Sequence, residues 1–360
     1  MKSFQGNWAL IILFVFLAVA CVSKAPKDFS SATNQTPLPE SVMFLSNVDG
    51  NLEIYVASLL QDSIKQLTHN TRDDMLAVWS PDGEKIAYTS MQNGNAEIYI
   101  MDADGGNQRN LTKHPSLDSS PQWSPDSTQI VFVSNREKIE NVYVMKLTDG
   151  KITRISHGEN GGALGPLWSP DGRYIVYQER IVDSKGINLV RVLPDGTEPT
   201  KLTDNKKYAE LQFSFTSDGK QIAFASLRNK MINIYKMNMD GTGEIQLTNT
   251  EASNNSYPSW SPDGKAILFL SQRDDGIRNQ VYVMDADGGK QRNVSQSGSE
   301  DSSPAWGGNN LITYTSFKEG HFSGYLASMQ NMKAARISSL KGEHMQPLVS
   351  PKDSKRMTMN

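Results

Sequence analysis

The chain has one cysteine in 360 residues, so no disulfide can form within it and no thiol pair can hold a metal. It has no excess of basic charge. Its 36 lysines and arginines stand against 39 acidic residues, a formal net charge of -3, which removes the electrostatic footprint of a nucleic-acid binder. It has no apolar run long enough to span a bilayer as a helix. The uncharged segment from Trp8 to Ala20 has 13 residues, whereas a helix needs roughly 20 apolar residues to cross about 30 Å of hydrocarbon. No G-x-S-x-G elbow and no phosphate loop occur, and the glycine pairs Gly105-Gly106 and Gly288-Gly289 follow aspartates in hairpins rather than opening helices. A complete serine hydrolase and a nucleotide-binding enzyme are therefore not expected. What is there, 38% hydrophobic and 21% charged residues, is the balance of a globular body able to bury a sizeable core.

The amino terminus departs from that balance. Lys2 precedes the apolar run, whose length suits the apolar region of a secretory signal. The run ends at Leu17 to Cys21 (LAVAC), where small Ala18 and Ala20 precede the only cysteine. This resembles the bacterial lipobox. The resemblance implies cleavage after Ala20, diacylglycerol on the Cys21 thiol and acylation of the new amino group. The alternative is an ordinary signal peptide with a chance cysteine. Each buried methylene contributes about 0.8 kcal/mol, so two or three acyl chains anchor stably where one does not. In a Gram-negative host, Val22 rather than aspartate after the cysteine implies, by family analogy, the periplasmic face of the outer membrane. Residues 1–20 thus read as a leader. Residues 21–40, rich in Ser, Thr, Pro and charge without apolar periodicity, read as a flexible tether.

Residues 41–360 are organised by a recurring phrase, WSPDG. It stands at Trp79 to Gly83, Trp168 to Gly172 and Trp260 to Gly264, with variants WSPDS from Trp123, FTSDG from Phe215, WGGNN from Trp306 and VSPKD from Val349. The steps between first residues are 44, 45, 47, 45, 46 and 43, near the span of one four-stranded propeller blade. After each phrase come three short β-rich segments, clearest at Ile86 to Ser90, Glu97 to Met101 and Arg109 to Thr112. Asp-Gly pairs such as Asp104-Gly105, Asp149-Gly150 and Asp240-Gly241 separate the last two segments, as a tight hairpin requires. With the strand leading into WSPDG, each repeat supplies four strands. The fold class is therefore all-β, a β-propeller of seven four-stranded blades, with six or eight kept open because the final inner strand is degenerate. The first set of strands, from Val42, lacks an inner strand before it. The last inner strand, around Gln346 to Ser350, lacks a set after it, so the carboxy-terminal strand is expected to close the ring.

The WSPDG turn, the Ile-Tyr pairs at Ile54-Tyr55, Ile98-Tyr99 and Ile234-Tyr235, and the Leu-Thr ending each outer segment resemble the repeat of TolB-type propellers over nearly all of residues 41–360. The resemblance implies the fold and an envelope setting. The family carries an α/β domain before its propeller, whereas here about 20 residues separate Cys21 from the first strand.

Inner strands of a propeller line its channel, and the outer-to-inner connections share a face with the loops joining second and third strands. That loop face is the expected binding surface. Five residues before each tryptophan position stand Asp74, Asp118, Ala163, Glu210, Asn255, Asp301 and His344, at the start of each inner strand. Such an acidic channel mouth would attract a basic peptide segment or a cation, with Ca2+ the ion considered and no other cofactor expected. The alternative is that these side chains cap turns or pair with Arg136, Arg228 and Arg273, each two residues after the serine ending a second strand. His69, His114 and His157 each follow an outer strand in consecutive repeats, too far apart to share a metal. His344 is alone near the channel, and His321 reads as a loop residue without a partner. The expected function is a membrane-anchored, non-catalytic propeller that binds an envelope or peptidoglycan-associated protein and no nucleic acid. The alternatives are a propeller enzyme such as a polysaccharide lyase, or an accessory or sensor subunit of a partner enzyme.

Overall fold

A computed structural model describes residues 40–353 apart from 159, 160, 183, 205, 309, 319, 339 and 341. The leader, Cys21 and the tether up to residue 39 lie outside the described residues.

Among the described residues the chain forms 28 strands. β1 (Ser41–Ser46), β2 (Glu53–Ser58) and β3 (Ser63–Gln66) come first, then β4 (Asp74–Trp79), β5 (Lys85–Ser90), β6 (Glu97–Asp102) and β7 (Arg109–Asn110). The next two sets are β8 (Asp118–Trp123), β9 (Gln129–Ser134), β10 (Asn141–Lys146), β11 (Ile152–Arg154), and β12 (Ala163–Trp168), β13 (Ile175–Arg180), β14 (Ile187–Val192), β15 (Thr200–Lys201). They are followed by β16 (Ala209–Phe215), β17 (Gln221–Arg228), β18 (Met231–Asn238), β19 (Ile245–Gln246), and β20 (Asn255–Trp260), β21 (Ala266–Ser271), β22 (Gln280–Asp285), β23 (Arg292–Asn293). Last are β24 (Asp301–Trp306), β25 (Leu311–Lys318), β26 (His321–Ser328), β27 (Ala334–Arg336) and β28 (His344–Val349).

Within each set the strands pair antiparallel in chain order. β28 pairs with β1, Val349 opposite Val42 and His344 opposite Ser46, so both ends of the described chain share the sheet β28-β1-β2-β3. A single parallel bridge, Ile187 with Ala209, joins β12–β15 to β16–β19 in one eight-stranded sheet.

The WSPDG phrase forms the turn from first to second strand because each residue has a task. Asp82 Oδ1 accepts from Ser80 Oγ at 2.5 Å and from the Glu84 amide at 2.9 Å, while Gly83 takes φ 70°. The same Ser or Thr to Asp bond recurs at Asp126, Asp171, Asp218 and Asp263. Outer strands are shorter than the sequence suggests. Beyond β7 the Leu111 amide still donates to Ile98 O at 2.8 Å, and the Thr112 hydroxyl takes over as acceptor for the Ile98 amide at 3.1 Å. Thr68, Ser156, Thr203, Thr248 and Ser295 do the same in their sets, which is the physical content of the Leu-Thr ending.

The second and third strands are buried on both faces, as in β9 and β10, because sheets pack face to face. Ile54 and Met43 meet Ile86 and Tyr88, Ile98 meets Phe132, and Val131 and Val142 meet Ile175 and Tyr177. Val176 and Leu189 meet Phe224, Ala223 and Ile234 meet Phe269, and Leu268 and Val281 meet Tyr314. Leu311 and Leu326 then meet Val42 and Phe44, returning to the first sheet. Each such side chain contributes about 1.5–3 kcal/mol by burial. In six sets a buried second-strand aromatic lies beside a third-strand tyrosine, from Phe44 and Tyr55 at 5.6 Å to Tyr314 and Tyr325 at 5.6 Å. Three of the repeat indoles bond to neighbouring first strands. Trp123 Nε1 donates to Val78 O at 3.3 Å, Trp306 Nε1 to Ser259 O at 2.9 Å, and Trp79 Nε1 to Leu348 O of β28 at 3.3 Å.

Candidate functional site

The seven residues at the starts of the first strands do occupy equivalent positions. Each sits opposite the end of the neighbouring second strand, as Asp74 faces Ser90, Asp118 faces Ser134, Glu210 faces Ser226, Asn255 faces Ser271 and Asp301 faces Ser316. Their side chains do not open on a channel. Asp74, Asp118, Glu210, Asn255 and Asp301 are fully buried, and Ala163 and His344 are 1% exposed. A bulge in each first strand explains the difference from the expected exposed mouth. The ladder shifts register just after the acidic position, and Leu76, Ser120, Gly165, Tyr257, Ser303 and Gln346, two residues further on, take positive φ of 50–59°. The bulge packs the first residue between sheets and turns the third outward, leaving Leu76 36% and Tyr257 49% exposed.

The buried row is fastened by side chains of its own and the preceding set. Arg136 reaches Asp118 at 3.0 and 3.2 Å, holds Ser134 Oγ at 2.9 Å and lies 4.8 Å from the centre of the Tyr143 ring. Arg228 lies 3.6 Å from Glu210 and binds Glu244 more closely, at 2.6 Å, over the Tyr235 ring. Arg273 donates to Asn255 Oδ1 at 3.0 Å over Tyr282. Asn255 in turn reaches back to Asn233 Oδ1, which also accepts from Thr248. All three arginines thus occupy the pairing role that was the alternative to a binding mouth.

Two carboxyls lack so close a cation. Asp74 accepts from Asn70 Nδ2 at 2.7 Å, and burial, reinforced by the Glu53 charge and opposed by the Ser90 and Thr68 hydroxyls, pushes it up to about 6. Asp301 accepts from Ser297 Oγ at 2.8 Å and is likewise raised by burial, with Ser295 and Ser316 hydroxyls and the Lys318 charge opposing. His344 is pushed down to about 4 by burial, its Nε2 2.8 Å from Leu340 O.

The other histidines are dispersed. His69 and His157 are exposed, with His157 Nε2 2.5 Å from Gly196 O, and His114 Nδ1 accepts from the Ser116 amide at 3.1 Å. His321 is not a lone loop residue. It begins β26, and its Nε2 lies 3.0 Å from Arg336. Among the described residues no three His, Cys, Asp or Glu side chains are grouped as metal ligands.

Sequence reasoning missed two features of the loop face, where second-to-third and outer-to-first connections meet. One is its exposed apolar side chains, Leu117, Val182, Leu227, Ile277 and Phe317. The other is an open pocket of about 400 Å³ beside β6, lined by Asn93, Asn95, Glu97, Asn110, Lys113, His114 and Pro115. The asparagine-rich stretch from Asn93 to Asn95 was the available signal.

A family model described as the TolB beta propeller domain matches residues 18–108, 79–198 and 163–310. No curated relative matches the chain significantly. Among solved structures, a putative TolB from Agrobacterium tumefaciens is similar at 22% identity, covering 69% of this chain and 91% of that one, with a TM-score of 0.54. An oligogalacturonate lyase from Vibrio parahaemolyticus is similar at 16% identity over 84% of this chain and 88% of that one, TM-score 0.62. A puromycin-hydrolyzing peptidase from Mycobacterium tuberculosis is similar at 12% identity over 84% and 52%, TM-score 0.68. At these identities the likeness concerns the fold.

Proposed function

The chain belongs to the TolB beta propeller domain family, and from that premise we propose that it is a lipid-anchored envelope protein whose propeller is a non-catalytic platform for another envelope or peptidoglycan-associated protein. We read the ring as seven four-stranded blades, one of them completed by β28. The buried row of Asp74, Asp118, Glu210, Asn255, Asp301 and His344 is read as the fastening of those blades, and the loop face as the contact surface.

The observation that carries the reading is the polarity of the body. β1 starts at Ser41 on the WSPDG-turn end, where Ser41 N donates to Asp353 Oδ2 at 2.8 Å, and runs toward the loop face. A tether from Cys21 therefore joins the end opposite Leu117, Val182, Leu227, Ile277 and Phe317. Exposed apolar side chains on the end remote from an anchor are what a partner-facing surface supplies.

The test is made in intact cells with the full chain. Cys21→Ala should move the protein from the membrane to the soluble fraction, and Ile277→Asp with Phe317→Asp should abolish crosslinked adducts while membrane retention stays unchanged. Retention of the Cys21→Ala protein rejects the anchor. Unchanged adducts in the double variant reject the loop face.

A further inference from the structure

We propose that the pocket beside β6 binds a neutral sugar ring, with Glu97 at its floor. This goes beyond the reading above, since it depends on neither the anchor nor a protein partner.

A polar, buried residue stands within the first three positions of every third strand, namely Glu53, Glu97, Asn141, Asn188, Asn233, Gln280 and Ser323. In most sets a donor of the protein itself satisfies it. Glu53 Oε1 accepts from Asn51 Nδ2 and the Asn70 amide at 2.8 and 2.9 Å. Gln280 Oε1 accepts from Asn293 and the Gly298 amide, and Asn141 and Asn233 accept from Ser156 and Thr248. Glu97 is 5% exposed and lines the pocket; its Oε2 accepts from Asn110, and no donor meets its Oε1 among the described residues. Glu53 Oε2 also lacks a donor but is sealed from solvent, whereas Glu97 stands in the wall of an open pocket, where a ligand can supply the missing bond.

The surrounding groups specify the ligand. Asn93 and Asn95 use their Nδ2 on Tyr99 Oη and on the His114 and Ser116 carbonyls, so their Oδ1 atoms remain as acceptors. His114 Nδ1 accepts from the Ser116 amide, which in the neutral ring puts the proton on Nε2 and makes it a donor. Lys113 adds a second donor at the rim. The lining thus holds both acceptors and donors, and the formal charges of Glu97 and Lys113 cancel. An anion would meet the Glu97 carboxylate, and a metal cation would meet Lys113. A ring of hydroxyls, each both donor and acceptor, satisfies the set, with Pro115 as the one apolar wall.

The probes are cellotetraose and tetra-N-acetylchitotetraose, titrated into the full chain in a detergent without a sugar headgroup and followed by saturation-transfer NMR and calorimetry. At least one should bind with a Kd on the order of 0.1–1 mM, the range of a shallow site with few anchors. Asn93→Ala with Lys113→Asn should weaken it at least about 10-fold, the asparagine being chosen because it tolerates the left-handed backbone at position 113 (φ 45°). Glu97→Gln should weaken it several-fold and still fold, since glutamine holds the same position at Gln280. Glu53→Gln, whose carboxylate is sealed from solvent, should leave it unchanged. The proposal is overturned if neither sugar binds, if the pocket variants bind as the parent does, or if inorganic phosphate displaces the sugar.

Discussion

In the sheet β8–β11 the buried first carboxylate, Asp118, meets an arginine; in β4–β7 the carboxylate at the same register, Asp74, meets only amides and hydroxyls. Arg136 stands two residues after Ser134, while Gln92 stands two residues after Ser90. One position decides whether the buried carboxyl meets a guanidinium or is left to amides and hydroxyls. The repeat therefore prescribes a buried polar group at each first-strand start but leaves its compensation to the individual blade. A buried ion pair is not in itself stabilising, yet losing one partner leaves the other charge stranded, so the two sheets should respond to mutation in opposite ways.

The comparison can be broken most severely at the first strand itself. Deleting residues 344–360 removes β28, exposes the edge of β1 and strips the Trp79 indole of its acceptor, so cooperative unfolding should be lost across the molecule; a melting temperature equal to that of the full chain would refute the closure. Next in size, Arg136→Ala should cost about 3–5 kcal/mol by leaving Asp118 unpaired, measured by urea unfolding at neutral pH. Asp74→Asn should do the reverse. The Asp74 carboxyl, raised from 3.8 to about 6, keeps a proton in the folded state that the unfolded chain gives up. Its stabilisation is thus fully present below the ordinary carboxylate pKa and lost as pH rises to about 6. At 1.36 kcal/mol per unit the variant should gain on the parent by roughly 3 kcal/mol between about pH 4 and 6.5, and parallel pH curves would show that Asp74 is not perturbed. Smallest, Gln92→Arg should install the missing cation over Tyr99, flatten most of that pH slope and add about 1 kcal/mol at neutral pH.

The repeated four-stranded sheets were legible because turn chemistry is local. Ser, Pro, Asp and Gly each have a fixed task in the first turn, and the same Asp to Ser bond is read at Asp82 and again at Asp263. The paired ends were legible from counting strands. The burial of the first-strand row was not, because counting back from tryptophan gives a position along the strand but not the twist of the backbone through Leu76 or Tyr257. A side-chain signal did exist. Asp74 and Ser90, or Asn255 and Ser271, recur in register with the hydroxyls of Thr68 and Thr248, and polar residues placed together within apolar sheets are partners before they are ligands. The pocket at Glu97 had no periodic signal, since its lining comes from the loops beside one blade rather than from the repeat.

The pairing of β28 with β1 also governs how the molecule comes into being. Ser41 and Asp353 are 312 positions apart, and closing a loop of that length costs about 5 kcal/mol of chain entropy before any local contact repays it. The strand that pairs with β1 is synthesised after every other described strand. Until it arrives, β1 offers unpaired backbone groups to any extended segment nearby. Pairing of β28 with β1 is thus a step of high contact order that waits for every strand between them, and chaperones acting on the chain should engage the waiting β1 edge.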